Sequence, residues 1–256
     1  MALLGVMKMP FGCGGQSRHE KKTVHVGKAS SPTNAPAAAV SVAIAKTNAP
    51  PAAVPETGPE VRITSPLKNE LVESSDVGVF LKVKDLPADS GGHVHLMVDN
   101  QPPEEITDFL LPVVIRHVGP GLHVVRAFAC DGAHVSYKNK AAFAMTWFTI
   151  GDSRQPVVAF DPALPTLTFN LPLASYRKLP KNLPVDFLVS GPIEPGQWQV
   201  RVTVDAEPLR VLDRVDPAFA LSLGPGDHAV RLELFDNDGR LMKANFVWSE
   251  RTVRLR

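Results

Sequence analysis

The chain has 256 residues, with 27 Lys and Arg against 26 Asp and Glu for a formal net charge of +1. That balance, without any Lys/Arg stripe, supplies no electrostatic footprint for nucleic acid or for an anionic membrane surface. Apolar residues make up 44% and charged residues 21%, which excludes a disordered polyelectrolyte and leaves room for two modules of about 100 residues plus a tail.

Residues 1–58 carry no sustained apolar period and are rich in Ala, Pro, Ser, Thr and Lys, which predicts an unfolded stalk. Within it Thr33-Asn34-Ala35-Pro36-Ala37-Ala38-Ala39-Val40 recurs nearly unchanged as Thr47-Asn48-Ala49-Pro50-Pro51-Ala52-Ala53-Val54, a duplication typical of an unconstrained spacer. The apolar run Ala37 to Ala45 is far shorter than the ~18 residues of a membrane span. From Val61 the texture changes to short β-rich runs between turn residues: Val61–Thr64, Val77–Val83, Val94–Val98, Pro112–Val118, Leu122–Cys130 and Phe143–Ile150. After a linker around Gly151-Asp152-Ser153 the pattern restarts: Thr166–Asn170, Val185–Ser190, Trp198–Asp205, Phe219–Leu223, His228–Phe235 and Phe246–Leu255. The 24 prolines, many of them in the stalk or at strand boundaries, favour strand over helix.

An internal repeat defines the organisation. Val98-Asp99-Asn100-Gln101-Pro102 returns as Val204-Asp205-Ala206-Glu207-Pro208, and the Gly119-Pro120-Gly121 to Arg126 stretch returns as Gly224-Pro225-Gly226 to Arg231, at offsets of 106 and 105 residues. Two motifs kept in order at nearly one offset predict two copies of one fold. The expected architecture is all-β: two tandem immunoglobulin-like (fibronectin III-like) sandwiches, residues 59–152 and 156–256, behind the stalk.

The period of two assigns faces. Trp198, Val200, Val202 and Val204 point inward, as do His228, Val230, Leu232 and Leu234. Transferred to the first copy, this buries Val94, Leu96 and Val98 with His123, Val125, Ala127 and Ala129. His123 and His228 occupy one repeated position beside a turn, which predicts a structural role with a ring nitrogen bonded to nearby backbone. The opposite face of the first copy then carries His93, His95, Met97, Val124, Arg126, Phe128 and Cys130, where the second copy has residues such as Gln199, Arg201, Thr203, Glu233 and Phe235.

His93-Val94-His95-Leu96-Met97-Val98-Asp99-Asn100-Gln101-Pro102, Gly121-Leu122-His123 with Arg126-Ala127-Phe128, and Ser136-Tyr137-Lys138-Asn139 resemble a group of uncharacterised bacterial exported domains. These share an HVHxxVDNxP, GxHxxRAF, HxSYKN pattern over about sixty residues. The resemblance implies a secreted or lipoprotein setting and implies no activity. Where the pattern has an aromatic before His134 and an acidic residue after it, this chain has Ala133 and Val135. Cys13, after Pro10-Phe11-Gly12 and before Gly14-Gly15, looks like the small-residue end of a lipoprotein signal and is the candidate lipidation site. The short apolar stretch Ala2 to Met7, interrupted by Lys8, reads as a truncated or misassigned start. Lipidation would make the stalk a tether of ~35 to 40 Å r.m.s. reach. The expected location is the periplasm or outer membrane, the alternative being the cytoplasm with Cys13 an incidental thiol. The lipid anchor is then the only expected contact with membrane.

No nucleophile elbow, phosphate loop, Rossmann fingerprint or His-Glu-x-x-His helix is present. Cys13 and Cys130 are the only cysteines, too few and too far apart in sequence for a disulfide framework. Asp236-Asn237-Asp238-Gly239 reads as a hairpin turn, since a calcium loop would need a downstream Glu. The expectation is a non-enzymatic binding or structural protein without cofactor, its partner an unidentified protein or cell-envelope component. The first copy's outer face is the candidate surface. It either packs against the second copy, its own loops or another subunit, or binds a ligand. One such ligand is a soft or borderline metal such as copper or zinc, chelated by His93 and His95 with Cys130, Met97 or His134. Service as an accessory domain of an enzyme is a further alternative.

Overall fold

The computed structural model describes residues 23–25, 57–151, 160–176, 181–194, 196–214, 219–243 and 246–256. Cys13, the duplicated stalk segment and the linker after Gly151 lie outside these residues. The first half contains β1 (Thr23–His25), β2 (Glu60–Ser65), β3 (Glu70–Val72), β4 (Val77–Lys84), β5 (His93–Val98), β6 (Glu104–Ile106), β7 (Val113–Arg116), β8 (Gly121–Cys130) and β9 (Phe143–Ile150). The second contains β10 (Thr166–Leu171), β11 (Ser175–Tyr176), β12 (Leu183–Pro184), β13 (Asp186–Ser190), β14 (Gln199–Val204), β15 (Glu207–Leu212), β16 (Ala220–Leu221), β17 (Gly226–Phe235) and β18 (Trp248–Leu255).

In the first half the sheet β1-β7-β4-β2 lies over the sheet β3-β9-β8-β5-β6. Val61, Val79 and Ile115 from one sheet meet Val94, Leu96, Val125 and Phe148 from the other in a single core. The second half repeats the five-stranded order as β11-β18-β17-β14-β15, covered by the β10-β13 and β12-β16 pairs, over a core of Leu167, Phe169, Phe187, Trp198, Val200, Val202, Val230 and Leu232. The repeat holds in register: Val98 pairs with Val125 as Val204 pairs with Val230, and His93 with Cys130 as Gln199 with Phe235.

The short edge strands β3, β6, β11 and β15 carry too little alternation to stand out in the sequence, and packing beside a longer strand supplies their pairing partner. Thr23–His25 pairs in parallel with Val114–Arg116, so an unfolded reading of residues 1–58 does not hold for these three. The physical reason is that β7 would otherwise leave a row of backbone groups open at the sheet edge. No helix among the described residues is long and apolar enough to cross a membrane.

The two halves meet through β10. All six of its residues are buried, because Leu167 and Phe169 enter the second core while Thr166, Thr168 and Asn170 point the other way. Those three polar side chains are fully buried. Thr168 and Asn170 meet the outer face of the first half's five-stranded sheet.

Candidate metal centre

The alternation read from the sequence places the outer face correctly, but that face is not exposed. His93, His95, Met97, Arg126, Phe128 and Cys130 are each at most 2% exposed. Met97, Phe128 and Cys130 form an apolar cluster of their own, with Phe143 and Leu188 of β13 packed against it. The second half covers this surface, the outcome that a cluster of aromatic, sulfur and imidazole groups favours.

Three histidines converge at one edge of the interface. His93 Nε2 lies 3.1 Å from His95 Nε2 and 3.0 Å from His134 Nδ1, and the last two nitrogens are 3.4 Å apart. Hydrogen bonds on the far side of two rings determine which nitrogens carry protons. His93 Nδ1 is 2.9 Å from Gly91 O, which can only accept, so Nδ1 donates. Asn170 Nδ2 donates to His134 O at 2.7 Å and to Asp186 Oδ2 at 2.6 Å, which leaves Asn170 Oδ1 to accept from His95 Nδ1 at 2.7 Å. In their neutral forms both rings therefore aim a lone pair from Nε2 at the other. His134 can place a proton against only one of them. A cation in the middle satisfies all three.

The donor set fits a metal. With metal–nitrogen bonds of about 2.0–2.1 Å, the observed nitrogen separations correspond to angles of about 94–112° at the ion, close to tetrahedral. Three protein ligands leave a fourth position for water or another donor. Burial, with the charges of His93 and His134 acting the same way, holds His95 down to about 4 against the opposing Asn170 bond. Burial and the neighbouring His93 also lower His134. Both rings are thus neutral near pH 7, the form that ligates.

His134 owes its place to a turn that the repeat duplicates. Asp131 Oδ1 accepts from Ala133 N and Val135 N at 2.9 and 3.0 Å, and Cys130 bridges to Ser136. One repeat later Asp236 Oδ1 accepts from Asp238 N and Arg240 N at 3.0 and 2.8 Å, and Phe235 bridges to Leu241. Asp236 to Gly239 is accordingly the hairpin turn expected. The second turn has Gly239 at φ 75°, where glycine is unstrained, and the first has His134 at φ 64°. A side chain there costs about 1–2 kcal/mol. Such a residue in a left-handed position points to a use for its imidazole.

Behind the histidines runs a buried polar network between the halves. Asp186, 2% exposed, accepts from Ser136 N at 3.0 Å, Ser136 Oγ at 2.7 Å and Lys138 Nζ. Arg126 is fully buried and donates to Leu167 O, Thr168 Oγ1 and Asp99 O while its guanidinium lies over Phe246. Burial lowers it to about 9.

Two of the candidate donors drop out. Cys130 Sγ approaches Asn170 Nδ2 at 3.9 Å and Phe128 O at 4.0 Å, and among the described residues the converging donor group is His93, His95 and His134. Burial, reinforced by the Asp186 charge, pushes the Cys130 thiol well up, so it stays protonated and a poor ligand. Met97 sits in the apolar cluster. His123 and His228 take the same bonds in both halves: Nε2 to Gly119 O and Gly224 O at 2.9 and 3.1 Å, Nδ1 to Asp99 and Asp205 at 2.9 and 2.8 Å. The backbone bond follows the expectation, and the repeated Asp partner adds to it. Sequence reasoning missed Asn170 and Asp186, which carry no motif. The Asp131/His134 turn was open to it through the 105-residue offset.

Strands β2, β4 and β7 against β9, β8 and β5, with the same plan in the second half, make this an all-β protein of immunoglobulin-like or fibronectin III-like sandwich architecture. No family model and no curated protein matches the chain. Among solved structures, it is similar to fibronectin(III)-like modules of Clostridium thermocellum CbhA at 17% identity, over 77% of this chain and 94% of that one, TM-score 0.27. A second is Bacteroides ovatus SGBP-B of a mixed-linkage glucan utilization locus, in complex with a mixed-linkage heptasaccharide, at 15% identity over 77% and 47%, TM-score 0.25. Similarity this low carries no function across.

Proposed function

We propose that this is an exported, non-enzymatic binding protein whose ligand is a borderline divalent metal ion, held by His93, His95 and His134. The observation that carries the reading is the pair of Nε2 lone pairs fixed face to face by Gly91 O and Asn170 Oδ1, with His134 Nδ1 closing the triangle. Neutral imidazoles without thiolate suit zinc or copper(II) better than copper(I), which soft sulfur donors select. The exported, lipid-tethered setting rests on the Cys13 context and on the family resemblance of the first half. The second half has Gln199, Arg201 and Gly239 at the three corresponding positions, so one site per chain is expected.

Calorimetric titration of the full chain with zinc tests the assignment. One ion per chain is expected, with binding abolished in His93→Ala/His95→Ala. Equal binding by wild type and variant would remove the assignment. Mass spectrometry of the native N-terminus tests the setting, and an unmodified Met1 would contradict it.

A further inference from the structure

Resting on that reading, we infer that the metal site is a clasp between the two halves, with Asn170 of the second half as the positioning residue for two of the three first-half ligands. Its Oδ1 accepts from His95 Nδ1 at 2.7 Å and so turns the His95 Nε2 lone pair toward the site. Its Nδ2 donates to His134 O at 2.7 Å and so holds the turn that presents the third ring. The amide cannot rotate to exchange these roles, because Nδ2 also donates to Asp186 Oδ2, a carboxylate engaged by Ser136. His93 is oriented entirely from within the first half, through Gly91 O, while His134 shares its support between the first half's Asp131 turn and the Asn170 bond.

A metal-ligating histidine is oriented by the partner of its other nitrogen, and loss of such a partner typically weakens metal binding 10–100-fold. Here that partner for His95 belongs to the other sandwich. Binding and docking are then linked reciprocally: the docked second half completes the site, and the ion, by favouring the docked arrangement, strengthens the interface. The second copy lacks the histidines but retains the scaffold, which divides the labour between two duplicated modules, one supplying ligands and the other their alignment.

The test uses the full chain and zinc itself. In Asn170→Ala the zinc Kd is expected to rise 10–100-fold. In wild type, zinc is expected to slow amide exchange in β10 and β13 as well as around the ligands, while leaving β15, an edge strand paired with β14, unchanged. Zinc binding by wild type with an unaltered Kd in Asn170→Ala, or protection confined to first-half strands, overturns the clasp while leaving the metal assignment intact. Absence of zinc binding in wild type overturns both. If Asn170→Ala does not fold, the wild-type exchange pattern alone decides, since protection of β10 requires the coupling.

Discussion

Asp186→Ala probes the interface at a buried carboxylate. The carboxylate is 2% exposed, and its removal leaves Ser136 N, the Ser136 Oγ–H donor and one Asn170 donor bond without their acceptor and deprives Lys138 of its counter-ion, although Ser136 Oγ still accepts from Lys138 Nζ at 2.6 Å. Breaking a buried pair by removing one partner costs about 3–5 kcal/mol. Lys138 keeps a bond to Phe187 O at 3.2 Å, and its side chain is 20% exposed, so water relieves part of the loss. That places the expected cost at the lower end, about 3 kcal/mol. With a slope of about 2 kcal/mol per molar urea, the midpoint should fall by about 1.5 M. Urea unfolding followed by tryptophan fluorescence measures it, with Lys138→Ala expected to cost less because Asp186 retains its Ser136 and Asn170 donors. A loss below about 1 kcal/mol for Asp186→Ala would refute the view that this network joins the halves.

His134→Gly should leave the metal-free protein as stable or raise its stability by up to about 1 kcal/mol, since glycine relieves the left-handed conformation, while zinc affinity drops at least about tenfold; a marked loss of apo stability would contradict a ligand role. For His123, burial opposes the charged ring, but the hydrogen bond and charge of Asp99 outweigh it and raise the pKa above its ordinary 6.5. Its contribution is fully present below that value and lost as pH rises through the folded pKa, so thermal scans should show stability declining upward from about pH 6.5, a slope that His123→Ala flattens. Phe128→Ala, emptying a fully buried position between the sheet and Leu188, should cost about 3–5 kcal/mol in urea unfolding, and a cost under about 1 kcal/mol would mean that the interface is not packed there.

Much of the fold is legible in alternation and repetition. Trp198, Val200 and Val202, with Val230, Leu232 and Leu234, announce their buried faces, His228 and Val204 at the strand ends are only partly buried, and the 105- and 106-residue offsets carry the frame to the first copy with its register intact. The same alternation puts His93, His95, Met97 and Cys130 on one face, but it cannot distinguish an exposed surface from one covered by a partner. What covers it is β10, where the polar Thr166, Thr168 and Asn170 alternate with Leu167 and Phe169 and are nonetheless fully buried. The choice among sulfur and imidazole donors depends on hydrogen bonds between residues 40 or 75 positions apart, such as Cys130 with Asn170 and His95 with Asn170, and no local spacing encodes these. His134 is the exception. Aligning Asp131 to His134 with Asp236 to Gly239 exposes a histidine where the repeat has a glycine, a local rule broken at a site of use.

X-ray absorption at the zinc edge of the stoichiometrically loaded full chain addresses the central claim most directly. The account predicts a shell of nitrogen and oxygen donors at about 2.0–2.1 Å, with the outer-shell scattering of three imidazoles and no sulfur. A sulfur shell at about 2.3 Å, or fewer than two imidazoles, would contradict it.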